Sequence, residues 1–256
     1  MDELTISPIQ AFSDNYIWLL KCGKNAFVVD PGDAAPVIKT LKKQNLTLKG
    51  ILITHHHFDH TGGVQVLKQH TGCDTWGPDT SPAGEFDHIV REGDKVQVLG
   101  TSFSVIAVPG HTLDHIAYYS ELEQALFCGD TLFVGGCGRV FEGTHNQMRV
   151  SLSKLRDLPA TTQVFCAHEY TLANLKFAHM VEPNNDDLNQ FLTICEAKRR
   201  RGLPTVPSTI AKELTYNPFL RWDYPEIRHG LEIAGRLVDN SEDGIFTTIR
   251  EWKNQV

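Results

Sequence analysis

Thr54-His55-His56-His57-Phe58-Asp59-His60-Thr61-Gly62-Gly63 follows directly on the apolar run Ile51-Leu52-Ile53 and places four histidines within six residues. The pattern predicts a buried strand that runs into a loop and then a helix. In extended backbone, residues two apart face the same way, so His55 and His57 can meet one ion while His56 points elsewhere. A helix would set that pair about 200° apart around its axis, too divergent for one small ion. Asp59 and His60 come after Phe58, where the chain turns toward the helix opened by Gly62 and Gly63, and they can address a second position. Neutral imidazole and carboxylate suit Zn²⁺ and also Fe or Mn. Crowded imidazoles and a carboxylate leave polar groups to be satisfied, and a metal satisfies them together.

Working outward, other apolar runs end in polar residues of the same kinds. Ala26-Phe-Val-Val-Asp30, Phe103 to Val108 before Pro109-Gly110-His111-Thr112, Ala125 to Gly129 before Asp130-Thr131, and Val164 to Ala167 before His168-Glu169-Tyr170 each read as a strand feeding a loop. If the last three strand ends converge on the first cluster, five histidines and two aspartates share one place. One ion cannot use seven such ligands, whereas two can, with a carboxylate shared between them.

Helical patterns fall between the strands, at Val37 to Leu41, Gly63 to His70, and Met148 to Leu158 with Thr144 or Asn146 as cap. The interleaving predicts layered α/β architecture. Beyond Tyr170 the texture changes to helices at Leu172 to Val181, Leu188 to Arg201 and Ile245 to Lys253, and strand-like runs are missing. The expected organisation is a first domain over residues 1–170 and a small helical domain over 171–256.

The 256-residue chain carries a formal charge of -7, with 41% hydrophobic and 21% charged residues, as expected of a globular protein with a sizeable core. The acidic balance argues against nucleic acid as a partner. The basic run Lys198-Arg199-Arg200-Arg201 reads as a solvated helix end stopped by Gly202. No stretch reaches the ~18 apolar residues of a membrane helix, and residues 1–10 lack the features of a signal peptide, so a cytoplasmic address with no membrane partner is expected. Six scattered cysteines without a C-x-x-C pair read as reduced and structural.

The motifs T-H-H-H-F-D-H-T-G-G, P-G-H-T, C-G-D-T and A-H-E-Y, in this order, resemble the metallo-β-lactamase fold superfamily. The resemblance implies an αββα sandwich, here with a small C-terminal helical domain, and a dinuclear site at one edge. It assigns His55, His57 and His111 to a first metal, Asp59, His60 and His168 to a second, and Asp130 to a bridge between them. Asp14-Asn15-Tyr16, Gly135-Gly136-Cys137-Gly138-Arg139-Val140-Phe141-Glu142-Gly143-Thr144, Thr205 to Thr209 and Asn217 to Arg221 further resemble the glyoxalase II family, over essentially the whole chain.

What that narrower resemblance implies is a monomeric thioester hydrolase. It would cleave S-(2-hydroxyacyl)glutathione, chiefly S-D-lactoylglutathione, to glutathione and D-lactate, the second step of methylglyoxal detoxification. Two divalent ions, Zn first and Fe or Mn next, would supply a bridging hydroxide that Asp59 orients, with Asp59 and the metal-bridging Asp130 as the catalytic residues. Arg139, Phe141, Tyr170, Arg250 and Lys253 would bind the glutathione part. Arg250 and Lys253 are three residues apart and would share a helix face, as a carboxylate clamp requires. A glutathione persulfide dioxygenase using one iron is the alternative on the same fold.

Two positions depart from the family pattern. Phe141 stands where some members have tyrosine, so a hydroxyl contact is absent, and Asp114 stands where glycine is common. His115 reads as structural or as a support to the ligands. Asp30, before Pro31-Gly32, reads either as a hydrogen-bonding support for a metal-binding histidine loop or as a turn residue capping backbone amides.

Overall fold

The computed structural model describes residues 3–79 and 81–256. Packing divides the chain into two compact units, the first running through Ala107 and taking in Asp114–Gly129, the second formed by Val108–Leu113 and Asp130–Val256.

In the first unit, β1 (Thr5–Ala11), β2 (Asn15–Cys22), β3 (Asn25–Val29), β4 (Thr47–Leu52), β5 (Asp74–Pro78) and β6 (His88–Val90) form one sheet in sequence order. The first three pair antiparallel and the last three pair parallel onto β3. The crossovers into β4 and β5 are helical. Helix α1 (Ala34–Gln44) starts on an Asp33 side chain that accepts from the Ala35 amide, and α3 (Val64–Thr71) follows α2 (Phe58–Thr61), a single turn. Val37, Leu41 and Leu67 from these helices pack on Ile17, Leu19, Val28, Ile51 and Ile53 of the sheet. Strand alternation turns Trp18, Leu20, Phe27 and Val29 to the opposite face, where they too are buried. Four antiparallel strands complete the unit, β7 (Lys95–Val98), β8 (Thr101–Ala107), β9 (Ile116–Ser120) and β10 (Ala125–Gly129). They meet the first set where the Tyr118 hydroxyl donates to the Ile53 carbonyl at 2.9 Å and the Ile116 amide to the Thr54 carbonyl at 2.9 Å. The strand and helix positions expected in this region are present.

In the second unit, β11 (Leu132–Phe133) and β12 (Gly136–Cys137) form a short hairpin, and β13 (Gln163–Cys166) pairs with β14 (Ser208–Thr209). Helix α4 (His145–Arg156) is capped by Thr144 in a capping box with Gln147, which decides between the two expected caps. The tail is helical, with α5 (Thr171–Val181), α6 (Asp186–Arg200), α7 (Ile210–Tyr216), α8 (Pro225–Ile233) and α9 (Glu242–Asn254). The two-residue β14 corrects the expectation of no strand there; its pairing is too short to leave a pattern in the sequence. The basic run ends α6 as expected, with Gly202 at φ 68° and the Leu203 amide closing back on the Lys198 carbonyl at 3.0 Å. Among the described residues, no helix is long and apolar enough to cross a membrane, and all six cysteines are free thiols, five of them buried.

Candidate metal centre

The end of β4 delivers Thr54 and His55 into a loop that closes as α2, so the first unit holds His55, His57, Asp59 and His60. His57 caps the turn in extended backbone, and its carbonyl accepts from the His60 amide at 3.0 Å and the Thr61 amide at 3.1 Å. Asp59 and His60 therefore sit on one helical turn. His55 and His60 are buried, and their ring centroids lie 4.1 Å apart.

Asp30 makes both kinds of contact that the sequence left open, to a backbone amide and to the histidine loop. Its Oδ1 accepts from the Thr54 amide at 2.8 Å and its Oδ2 from the Thr54 hydroxyl at 2.7 Å. With its one proton committed to Asp30, the Thr54 oxygen can only accept from His55 Nδ1, 3.0 Å away, so that ring carries its proton on Nδ1. His60 Nδ1 faces the same Asp30 Oδ2 at 3.1 Å and is fixed likewise. Both rings then present the Nε2 lone pair a metal needs. His55 Nε2 lies 3.2 Å from His57 Nδ1, and His60 Nε2 lies 3.5 Å from Asp59 Oδ2. Asn15, from the Asp-Asn-Tyr motif, donates to Asp59 Oδ2 at 2.9 Å. His56 does point elsewhere, to Asp114 at 2.9 Å, so the departure at position 114 gives a buried partner to the middle histidine. His115 stacks on His55 at 4.5 Å and bonds the Ile116 carbonyl through Nδ1.

The second unit holds His111, Asp130 and His168, all buried, together with the five expected substrate-binding residues. His111 Nδ1 lies 2.7 Å from the Arg139 carbonyl, an obligate acceptor, so this ring too is protonated on Nδ1 and leaves Nε2 as the donor pair. Asp130 stands between two imidazoles, with Oδ2 3.4 Å from His111 Nε2 and Oδ1 3.3 Å from His168 Nε2. One carboxylate oxygen toward each ring is what a bridging ligand requires. Gly138 packs on this carboxylate's backbone so tightly that a Cβ there would lie 1.9 Å from the Asp130 carbonyl oxygen, which accounts for glycine in the Gly-Cys-Gly-Arg run.

Aromatic rings line these donors. Tyr170 stacks on His168 at 4.6 Å and Phe141 meets His111 edge-on at 5.2 Å. Arg250 is buried rather than extended into solvent; it donates to the Cys137 carbonyl at 2.9 Å and the Asn254 side chain at 3.0 Å. Lys253, one turn on, bonds Asn174 Oδ1. Burial, and then the Arg250 charge, holds its ammonium down to about 7. Burial pushes the Cys137 thiol up despite the neighbouring Arg250, so it is an unreactive packing group. The sequence offered no signal for Glu213 or Asn174, and for Asn217 only a place in a family-like stretch without a role; their side chains hold this unit's loops.

The description "Metallo-beta-lactamase superfamily" matches residues 12–168, and "Hydroxyacylglutathione hydrolase C-terminus" matches residues 169–256. A hydroxyacylglutathione hydrolase of Chromohalobacter salexigens is 50% identical over 98% of this chain and 99% of its own length. One from Hahella chejuensis is 47% identical over 98% of each. The crystal structure of ETHE1 from Myxococcus xanthus superposes with a TM-score of 0.67 at 25% identity, covering 98% of this chain and 91% of that one. The chain has the α/β metallo-β-lactamase fold followed by a helical C-terminal region.

Proposed function

From the premise that the chain belongs to the hydroxyacylglutathione hydrolase family, we propose that it cleaves S-(2-hydroxyacyl)glutathione, chiefly S-D-lactoylglutathione, to glutathione and D-lactate. The observation that carries this reading is the match of the tail, residues 169–256, to the C-terminus of that family, beside seven histidine and aspartate donors in the preceding motifs. The same match weighs against a persulfide dioxygenase.

The donor chemistry fits divalent metal ions, because hydrogen bonds to oxygen acceptors leave three rings, His55, His60 and His111, as Nε2 donors. His55, His57 and His111 are the proposed holders of one ion, Asp59, His60 and His168 of another, and Asp130 of both, with Zn ahead of Fe or Mn. Such ions supply a water nucleophile ionised near neutral pH and a Lewis acid for a carbonyl.

The protein's own residues do the rest. Asp59, held by Asn15, accepts and orients a proton of the attacking water. Phe141 and Tyr170 flank the donors, and Phe141 offers glutathione packing alone. Arg139, Arg250 and Lys253 concentrate positive charge for a substrate with two carboxylates, in a chain of net charge -7. A thiolate leaving group, with an ordinary pKa near 8.5, departs with little need for a protonating acid. The helical region 171–256 is the proposed glutathione-binding domain, and the protein is proposed to act as a cytoplasmic monomer.

Metal analysis of the purified protein, paired with an assay on lactoylglutathione and on glutathione persulfide, tests this. Two ions per chain and thioester cleavage are expected; one iron with oxygen uptake on the persulfide would replace the reading by its alternative.

A further inference from the structure

We propose that Glu213 and Asn217 in the helical tail are positioning residues for Asp130 and His111, acting through the β11–β12 hairpin. The proposal rests on the reading of Asp130 and His111 as metal ligands.

Glu213 lies on α7 with none of its surface exposed. Its carboxylate accepts from the Gly135 amide at 2.8 Å, Asn217 Nδ2 at 2.9 Å, the Tyr216 hydroxyl at 3.1 Å and the Ser208 hydroxyl. Two of these, the Gly135 amide and Asn217 Nδ2, can only donate, and both meet Oε2, so that oxygen is held as an acceptor, while Oε1 faces the two hydroxyls. Asn217 Nδ2 also reaches the Phe133 carbonyl at 3.2 Å and the Gly136 carbonyl at 3.0 Å, while its Oδ1 accepts from the Phe219 amide at 3.0 Å. The tail thereby holds three backbone groups of one hairpin turn, at residues 133, 135 and 136.

That hairpin has only two residue pairs, Leu132 with Cys137 and Phe133 with Gly136, too few to hold its own shape. Gly135 stands at φ 67°, a conformation the turn needs. Asp130 precedes the hairpin, and Gly138 and Arg139 follow it. The Gly138 amide closes on the Thr131 carbonyl at 3.2 Å, and the Arg139 carbonyl fixes the His111 tautomer. A displaced turn therefore moves the Asp130 carboxylate and the acceptor that orients His111 together.

Burial alone gives no reason for a carboxylate here, since a buried acid costs free energy that an apolar side chain of similar volume does not. Holding three backbone groups in register gives one. It also supplies a role for the segment from Thr205 to Arg221, which the chemistry otherwise leaves idle. Thr205 secures the neighbouring strand end by donating its amide to Glu169 at 2.9 Å, one residue after His168.

The test uses the zinc-loaded full chain and its variants Glu213→Leu, which removes both acceptor oxygens at similar volume, and Asn217→Ser, measuring the rate at which a chelator strips the metal, with kcat and KM for lactoylglutathione. Stripping about tenfold faster and kcat about tenfold lower, with KM little changed, are expected, as when a support to a metal ligand is lost. Arg156→Ala is the comparator; it removes the fork onto Asp223 and lowers Tm without touching the hairpin. Variants that lose Tm as Arg156→Ala does but keep the parental stripping rate and kcat overturn the inference. If Glu213→Leu does not fold, Asn217→Ser decides by the same measurements. A parent chain that binds no metal or leaves the thioester intact defeats the functional reading instead, a separate result.

Discussion

In the first unit the proposed ligands lie within six residues, and one side chain, Asp30, orients two of the rings, His55 through Thr54 and His60 directly, while Asn15 holds Asp59. In the second they lie on three separate strand ends, and backbone orients them: the Arg139 carbonyl holds His111, and a hairpin steadied from the tail carries Asp130. A contiguous motif can be held by one acid behind it. Dispersed ligands need the intervening chain to be fixed as well, and a helical tail provides that in addition to any contact with substrate.

The largest break in this comparison is Asp130→Ala. Each Asp130 oxygen faces a different histidine, so the substitution removes a ligand common to both proposed ions. Loss of both metals by elemental analysis, and a fall in kcat/KM on the order of 10³-fold or more, are expected. Retention of full metal content would remove the bridging role.

Asp30→Asn sharpens the other side with almost no change in shape. Oriented to keep an acceptor for the Thr54 amide, asparagine turns an NH₂ group toward the Thr54 hydroxyl and His60 Nδ1. The hydroxyl then accepts, and its proton points to His55 Nδ1. Both rings are driven to carry their proton on Nε2, where the metal needs a lone pair. Metal affinity lower by roughly 10–100-fold in a chelator competition is expected, with far-UV circular dichroism unchanged. Unchanged affinity would show that Thr54 and Asp30 do not govern the tautomers.

The same contrast explains what was legible in the sequence. The cluster from His55 to His60 could be read from spacing, because the strand period and the turn place its members without help from distant chain. His111, Asp130 and His168 could be recognised only one at a time, each after its own apolar run. Asp30 was ambiguous because its role depends on Thr54, a neighbour in space and not in sequence. Asn217 stood in a family-like stretch without a role, and Glu213 gave no signal: a glutamate in the short helix Ile210–Tyr216 looks like an exposed polar position, and only the fold reveals four donors around it. The Arg250 and Lys253 spacing placed both on one face correctly, but not the burial that makes their environments unlike.

That burial makes Lys253 the place where the second unit responds to pH. Its ammonium lies 5.4 Å from the centre of the Phe177 ring, beside Asn174, with Arg250 pressing its pKa down and Cys137 pressing it up. Folding lowers this pKa from 10.5 to about 7, so between those values the unfolded chain holds the proton and the folded chain does not. Stability therefore rises with pH across that window through this residue. Affinity moves the other way: above pH about 7 the free enzyme loses the Lys253 charge, and KM for the anionic thioester climbs, by up to about tenfold per pH unit. Lys253→Met should have the higher KM at pH 6 and a flat profile from 6 to 9, while its Tm advantage over the parent, largest at low pH, shrinks as pH rises. A parent KM that stays level through neutrality would mean that the substrate carboxylates are held by Arg250 and Arg139 without Lys253.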